Sequence, residues 1–257
     1  MKQQIIFIVL ITIFINLSAQ GNNKSSASIF PTAESVLDSL EKKYNQIEDY
    51  YVRIDISIKT PMLRMPKKRV EFWFKKPNLK KIETKGFAAI PKSGIITSPV
   101  DIFDNLSDLA VVGAEYFDDK QVWILQGRLN PDSLTFKKMS DMSSAPNLEM
   151  RLLVDRSNWT LIKSETWMDT SKVVEIETEY GSVAEDIYLP KETIISFEYL
   201  GVMSSGREDT FGAKHQFGSQ QGDSQKNGIS GMITLKFSDY KVNKGINDTF
   251  FVEEKQK

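Results

Sequence analysis

The strongest constraint on the fold is a period-two alternation of apolar and polar residues that recurs along most of the chain. Val52, Ile54 and Ile56 alternate with polar or charged residues, and the same pattern returns at residues 70–75. A period of two places every apolar side chain on one face of a β-strand. Because such a face must be buried against another layer, the pattern predicts a mainly β protein with a sizeable core.

Turn-forming residues divide the alternating regions into about ten or eleven strands. The segment 203–228 is rich in Gly, Ser and Gln and is predicted to be a long mobile loop. We find no boundary that would split the chain into two domains. Strands are predicted at residues 52–59, 70–75, 79–84, 87–90, 94–97, 121–128, 148–155, 160–168, 172–180, within 187–200 and at 229–240.

A helix with one apolar face is predicted before the first strand, over residues 32–50. Val36, Leu40 and Tyr44 recur at four-residue spacing, as on one side of an α-helix. Thr32 is a suitable N-cap, because its hydroxyl can accept a hydrogen bond from an amide of the first turn. The apolar stripe of this helix must be buried against the sheet.

A second helix is predicted at residues 99–113, where the strand alternation is interrupted. Ile102, Phe103 and Leu106 would lie on one side of it. We expect these three side chains to form a lid over the sheet, with an ordinary core helix as the alternative.

Three aspartates, Asp101, Asp104 and Asp108, would lie on the other side of the same helix. Carboxylates at this spacing could hold a metal ion. A solvated acidic face is favoured, since negative charge is stabilised near a helix N-terminus. We therefore expect no metal site.

The predicted helices help to decide how the sheet is arranged. Apolar strand faces can be buried in a sandwich of two sheets or in one strongly curved sheet. The curved sheet is favoured, because an amphipathic helix can cover its mouth. A barrel of roughly eight strands is nearly filled by its own side chains, and more strands leave space inside. We therefore predict an apolar cavity lined by Val52, Ile54, Ile56, Val70, Phe72, Phe74, Val122, Ile124, Leu152, Val154, Ile195, Phe197, Leu235 and Phe237.

The first 19 residues have the three-part layout of a secretory signal peptide. Lys2 supplies the positive start, an apolar core follows, and cleavage is predicted after Ala19. The apolar core is shorter than the roughly 20 residues that span a bilayer, although an uncleaved anchor is the competing interpretation. We expect residues 20–31 to be a disordered lead-in and residues 32–257 to form one domain.

The amino-acid composition indicates the cellular compartment of the protein and argues against one class of partner. The chain has no cysteine, which excludes both disulfides and a lipid-modified cysteine. An exported protein without disulfides fits the bacterial periplasm. The formal net charge of −1 gives no electrostatic basis for nucleic-acid binding. We expect a periplasmic monomer.

Residues suited to catalysis are not arranged in a recognisable pattern. The lone His215 falls in the 203–228 segment, so no nucleophile–base pair can be assigned to a rigid element. The adjacent carboxylates Asp118 and Asp119, like Glu253 and Glu254, do not define two groups that oppose each other across a substrate. No Gly-rich phosphate loop is present. We therefore predict a binding protein, not an enzyme, with no catalytic residue and no cofactor.

Five segments in a fixed order give the chain a family resemblance over about the whole mature length. In this order they resemble the periplasmic lipoprotein carriers, the LolA-like (outer-membrane lipoprotein-sorting) proteins. Each motif is loose, and their order is the more specific signal. The segments are YNQIEDYYVRIDISI at 44–58, RVEFWFKKPNLKKIET at 69–84, EMRLLVDRSNWTLIKSETW at 149–167, YLPKETIISF at 188–197 and ITLKFSDYKVNKGINDTFF at 233–251.

The resemblance implies a strongly curved, unclosed β-barrel of about 11 antiparallel strands with an N-terminal helix and a helical lid. The fold class is then mainly β (α+β). The implied function is to bind the acyl chains of lipoproteins, or of related lipids, and to ferry them across the periplasm toward the outer membrane. The implied partners are an inner-membrane release complex and an outer-membrane acceptor.

One position departs from the family pattern. The turn after the second strand carries Lys76 where the family has an arginine important for handing cargo on. Lysine keeps the charge but lacks the planar fork of arginine. A general carrier and a specialised paralogue with other lipid cargo are both compatible with this change. The alternative function is a non-transport sensor or scaffold on the same fold, with a filled core and a protein partner.

Overall fold

The computed structural model describes residues 30–60, 66–84, 102–130, 147–199 and 229–251. Within these ranges the chain forms one α-helix and ten strands, and no helix there is long and apolar enough to span a bilayer. The predicted signal peptide, the 203–228 segment and the short strands at 87–90 and 94–97 lie outside the described residues. The elements are α1 Ala33–Tyr44, β1 Asp49–Lys59, β2 Lys68–Lys75, β3 Leu79–Thr84, β4 Leu106–Phe117, β5 Lys120–Leu129, β6 Leu148–Asp155, β7 Thr160–Met168, β8 Ser171–Ala184, β9 Ile187–Tyr199 and β10 Ile229–Val242, with 3₁₀ turns at Phe103–Asn105 and Asp248–Phe251.

Helix α1 confirms the helix predicted from the apolar spacing. The Thr32 hydroxyl accepts a hydrogen bond from the Ser35 amide at 3.2 Å, as expected of an N-cap. Val36 and Leu40 are fully buried, so the predicted stripe faces the sheet. The helix ends at Tyr44, before the predicted limit, because strand β1 already begins five residues later.

The ten strands form one antiparallel sheet in the order β3-β2-β1-β10-β9-β8-β7-β6-β5-β4. Strand β1 pairs with β10, which brings the two ends of the domain together. Strands β3 and β4, which are consecutive in the described sequence, are the two edges. All the remaining pairs of consecutive strands are hydrogen-bonded to each other. The sheet is therefore a curled, unclosed barrel, as predicted, and among the described strands only the pairing of β3 with β4 is missing.

The prediction of a helix over residues 99–113 is wrong. Its described part is a single 3₁₀ turn followed by β4, which pairs with β5. Register shifts interrupt β4 on both sides of Ala110 and Val111, and Asp108 adopts a positive φ of 54°. Each bulge adds a residue and moves the alternation by one position. The apolar spacing of a strand with two bulges therefore resembles that of a helix.

Register pairing defines an inner face, which is the face of the sheet that α1 covers. Paired residues of neighbouring antiparallel strands lie on the same face, so this face can be followed from strand to strand. Twelve of the residues predicted to line the cavity share it, namely Val52, Ile54, Ile56, Val70, Phe72, Phe74, Leu152, Val154, Ile195, Phe197, Leu235 and Phe237.

The prediction that Val122 and Ile124 face the cavity is wrong. Trp123 and Leu125, which alternate with them, pair with the inner-face residues Val154 and Leu152 of β6. Val122 instead packs on the other face of the sheet, the outer face, with Leu153 and Ile162. Four consecutive apolar residues carry no alternation, so the sequence does not indicate which pair faces inward.

Two separate apolar clusters fill the inner side of the sheet. The first, cluster A, lies against β1, β2 and β10. The second, cluster B, lies under α1 against β5 and β6. Burying each large apolar side chain stabilises the fold by roughly 1.5–3 kcal/mol relative to its exposure. The buried members of cluster A are Ile47, Tyr50, Val52, Ile54, Ile56, Val70, Phe72, Phe74, Leu189 and Leu235, and those of cluster B are Val36, Leu40, Phe103, Leu125, Leu129, Leu148, Met150, Leu152 and Val154.

Candidate functional site: a cavity beneath the N-terminal helix

A cavity of about 200 Å³ lies between α1 and the inner face of the sheet. Members of cluster A border it on one side, and members of cluster B border it on the other. Most of its wall is aliphatic or aromatic. The apolar and aromatic lining residues are Leu40, Tyr44, Ile47, Tyr50, Val52, Ile102, Trp159, Leu161, Ile176, Tyr180, Ile187, Tyr188, Leu189, Pro190, Ile195, Leu235, Phe237 and Tyr240.

Small side chains explain why this part of the inner face is hollow. Ser164, Thr178 and Thr193 occupy inner-face positions on three neighbouring strands and line the cavity. Their pairing partners include large residues such as Leu152 and Leu235, which fill the adjoining clusters. A serine or threonine at such a position does not reach α1, so space remains beneath the helix.

Buried phenols keep this part of the wall uncharged. The Tyr180 hydroxyl donates a hydrogen bond to the Leu161 carbonyl at 3.1 Å, and the Tyr240 hydroxyl donates to the Pro190 carbonyl at 2.8 Å. Burial raises the pKa of Tyr50, Tyr180 and Tyr240 well above the ordinary tyrosine value. All three phenols are therefore neutral at physiological pH.

One ion pair stands at the border of the cavity and joins α1 to the sheet. Lys43 on α1 is paired with Asp186 in the turn between β8 and β9. The hydrogen bond from Lys43 lowers the pKa of the Asp186 carboxyl below its usual value. These two are the only charged residues among the described lining residues, and they neutralise each other.

The residues predicted to form the lid lie on the inner side of the sheet without forming a helix. Ile102 lines the cavity, while Phe103 and Leu106 pack in cluster B. The element that covers the cavity is α1, through Leu40 and Tyr44.

The predicted lining residues separate into two groups. Val52, Ile195, Leu235 and Phe237 do line the cavity. Most of the other inner-face residues are packed within the clusters and do not border it. The sequence prediction missed the hydroxyl residues of β7 to β9 because it selected large apolar side chains, which fill space.

Lys76 is tied to the end of α1. Its ammonium donates a hydrogen bond to the Asn45 carbonyl at 2.6 Å and lies 3.4 Å from a Glu48 carboxylate oxygen. A cation at this place interacts favourably with the C-terminal end of the helix. Lys76 thus anchors the segment that joins α1 to β1.

A second depression of about 860 Å³ lies where β8, β9 and β10 border the end of β1. Phe197 and Gly231 belong to it, but so do the charged residues Lys59, Lys172 and Glu175. This mixed wall differs from the neutral wall of the cavity beneath α1, so the latter is the better candidate for an apolar ligand.

No sequence-family model matches the chain, and no curated protein does either. Solved structures do resemble it. A LolA superfamily protein from Nitrosomonas europaea superposes with a TM-score of 0.50 at 13% identity, covering 87% of this chain and 99% of its own. A DUF1329 family protein from Desulfovibrio piger gives a TM-score of 0.50 at 9% identity, covering 85% and 96%. At such low identity the likeness concerns the fold, which is LolA-like.

Proposed function

We propose that this protein is a periplasmic carrier that binds the acyl chains of lipoproteins, or of related lipids, in the cavity beneath α1 and ferries them toward the outer membrane. The observation that carries the proposal is the hollow between α1 and the inner face, with a wall that is largely apolar and neutral. Hydrocarbon gains free energy when it leaves water for such a wall. The signal-peptide pattern of residues 1–19 supports export, and the LolA-like fold agrees with this role.

The size of the cavity implies that α1 moves during loading. A cavity of about 150 Å³ holds one benzene molecule, and the hollow here has about 200 Å³. A complete acyl chain is several times longer than benzene, so it can enter only if the helix shifts away from the sheet. In this proposal the present arrangement is the closed state, and Lys43, Asp186 and Lys76 hold the helix in it.

Filling the cavity tests the proposal. Ile176 lines the cavity from β8, and Ile176→Trp should lower the affinity for a dansyl-labelled undecanoyl methyl ester by at least about tenfold, because the indole occupies the acyl space. The matched control is Ile124→Trp on the outer face, which should bind within about twofold of wild type. Fluorescence titration gives the affinities, and thermal unfolding verifies that both variants fold.

Two results would contradict the carrier role. If wild-type protein does not bind the probe, the cavity is not an acyl site, and the sensor or scaffold interpretation is favoured. If Ile176→Trp and Ile124→Trp bind equally well, the ligand lies elsewhere on the molecule.

Movement of α1 can be tested because the chain has no cysteine of its own. In a Lys43→Cys, Asp186→Cys variant, a bismaleimide linker with a cleavable disulfide would fix the helix to the turn between β8 and β9. We expect the linked protein to take up the probe at least about tenfold more slowly, with recovery after reduction. The unlinked double variant is the control, and an unchanged uptake rate after linking would show that loading does not need α1 to move.

A further inference from the structure

Three buried phenols belong to the wall of the cavity, and they differ in whether the protein supplies a hydrogen-bond partner. The hydroxyls of Tyr180 and Tyr240 each donate to a backbone carbonyl. The Tyr50 hydroxyl has no hydrogen bond with any of the described residues. A buried tyrosine hydroxyl ordinarily has a partner, so the exception at Tyr50 requires a physical explanation.

The strand pairing places the Tyr50 side chain on the inner face of the sheet. Tyr50 pairs with the inner-face residue Phe74 of β2, and it lies two residues before the inner-face residue Val52 on β1. Its ring centroid is 5.8 Å from that of Phe72, 5.4 Å from that of Phe74 and 6.2 Å from that of Tyr240. These contacts hold the phenol ring in place on the inner side.

The Tyr50 hydroxyl also has free space beside it. Tyr50 is 6% exposed and is one of the residues that line the cavity. Among the described residues, Thr160 has the only side-chain polar atom that is unpartnered and also sealed off by the surrounding atoms. The unpartnered Tyr50 oxygen is therefore not sealed, and the free space that Tyr50 borders is the cavity. A donor in this position is available to a ligand.

The charges around the cavity indicate which acceptor this hydroxyl would take. Lys43 and Asp186 are the charged residues of the described lining, and each is already paired with the other. A carboxylate or phosphate placed inside would find no other counter-charge there, and an unpaired buried charge is strongly unfavourable. An uncharged carbonyl oxygen accepts a hydrogen bond without that penalty.

Given the acyl site proposed above, we infer that the Tyr50 hydroxyl donates a hydrogen bond to the carbonyl oxygen of an uncharged acyl ester or amide held in this cavity. Tyr50 is the second residue of β1, and its neighbour Phe74 also contacts Tyr44, the last residue of α1. The junction between the acyl chain and its headgroup then lies near the C-terminal end of α1. The site selects neutral acyl esters or amides over fatty-acid anions of the same length.

The test compares three ligands of one chain length, which are methyl decanoate, N-methyldecanamide and decanoate. Each displaces the neutral dye N-phenyl-1-naphthylamine at pH 8, and direct titration gives the affinity of the dye, which has no carbonyl. Wild type is compared with Tyr50→Phe, which loses one hydroxyl and keeps the ring. Tyr116→Phe is the matched control, because Tyr116 is 72% exposed and does not line the cavity.

We expect Tyr50→Phe to bind methyl decanoate or the amide about five- to tenfold more weakly than wild type, which is the contribution of one hydrogen bond. Tyr116→Phe should bind both within about twofold of wild type, and all three proteins should bind the dye alike. Decanoate should bind wild type at least about tenfold more weakly than methyl decanoate, because its charge finds no free partner in the cavity. A larger loss for the ester would identify a glycerolipid-type ligand, and a larger loss for the amide an N-acylated one.

Thermal unfolding without ligand tests whether the Tyr50 hydroxyl lacks a partner within the protein. Tyr240→Phe would leave the Pro190 carbonyl without its donor and should lower the melting temperature by about 2–4 °C. Tyr50→Phe breaks no such bond and should not lower it. An equal decrease in the two variants would mean that the protein itself satisfies the Tyr50 hydroxyl, which would overturn the inference.

Three outcomes of the binding test separate this inference from the proposed function. Equal ester and amide affinities in wild type and Tyr50→Phe, with the dye still displaced, overturn the role of the hydroxyl and leave the acyl site intact. Decanoate binding as tightly as methyl decanoate overturns the selection for neutral ligands. Displacement of the dye by none of the three ligands in wild type overturns the acyl site itself.

Discussion

Replacing Asp49 with alanine should lower the free energy of unfolding by about 3–5 kcal/mol, since its carboxylate is buried and accepts three charge-assisted hydrogen bonds. Asp49 begins β1 and is 3% exposed. Its two carboxylate oxygens accept from the backbone amides of Lys244, Gly245 and Ile246 at 2.9, 2.8 and 3.2 Å. Alanine would leave three donors without their acceptor.

Urea denaturation measures this loss, and Asp55→Ala on the same strand is the control. Asp55 forms two hydrogen bonds with Arg69, at 2.7 and 3.0 Å, but both side chains are largely exposed. Solvent screens such a pair, so its removal should cost a small fraction of what Asp49→Ala costs. Equal losses in the two variants would show that the Asp49 contacts do not hold the fold together.

The loop that Asp49 holds also positions the end of α1. Gly245 in this loop has a φ of +76°, a conformation that glycine adopts without strain. The neighbouring Asn243 accepts a hydrogen bond from the Glu48 amide at 2.8 Å and donates one to the Gln46 carbonyl at 2.9 Å. Asp49 therefore holds the loop after β10 against the segment that joins α1 to β1.

The strands could be predicted where the alternation is regular and the turns are distinct. The limits predicted for β3, β6 and β7 agree with the structure, because each of these strands lies between clear turn residues. The Asp155 carboxylate at the end of β6, for example, accepts from the Ser157 amide at 2.7 Å, which closes the turn to β7. Such short-range interactions are encoded within a few residues.

The errors arise where the pattern depends on distant partners. The bulges around Ala110 and Val111 exist because β4 pairs with β5, and no local signal separates them from a helical period. The volume of the cavity depends on which side chains of five strands and one helix meet across space. Alternation predicts that Ser164, Thr178 and Thr193 face inward, but their small size leaves a cavity only because α1 lies above them.

Stability should fall steeply above pH 10, because three buried tyrosines release protons only when the chain unfolds. Burial raises the pKa of Tyr50, Tyr180 and Tyr240, and the neighbouring phenols Tyr44 and Tyr240 raise that of Tyr50 further. Below pH 10 the three phenols are neutral in the folded and in the unfolded chain, so the folded state keeps its full stability. Above it the unfolded chain ionises first, so stability is lost as the pH rises toward the folded-state values, by up to about 4 kcal/mol per pH unit for three groups.

Phenylalanine variants separate these tyrosines from other groups that titrate in the same range. Tyr50→Phe should make the slope of unfolding free energy against pH, measured in urea between pH 9 and 11, shallower by about 0.7 kcal/mol per unit on average, because the unfolded phenol ionises across this range. Tyr116 is 72% exposed, so Tyr116→Phe should leave the slope unchanged. An unchanged slope in Tyr50→Phe would mean that water reaches this phenol in the folded state. The wall of the cavity would then tolerate a charge beside the apolar ligand proposed for it.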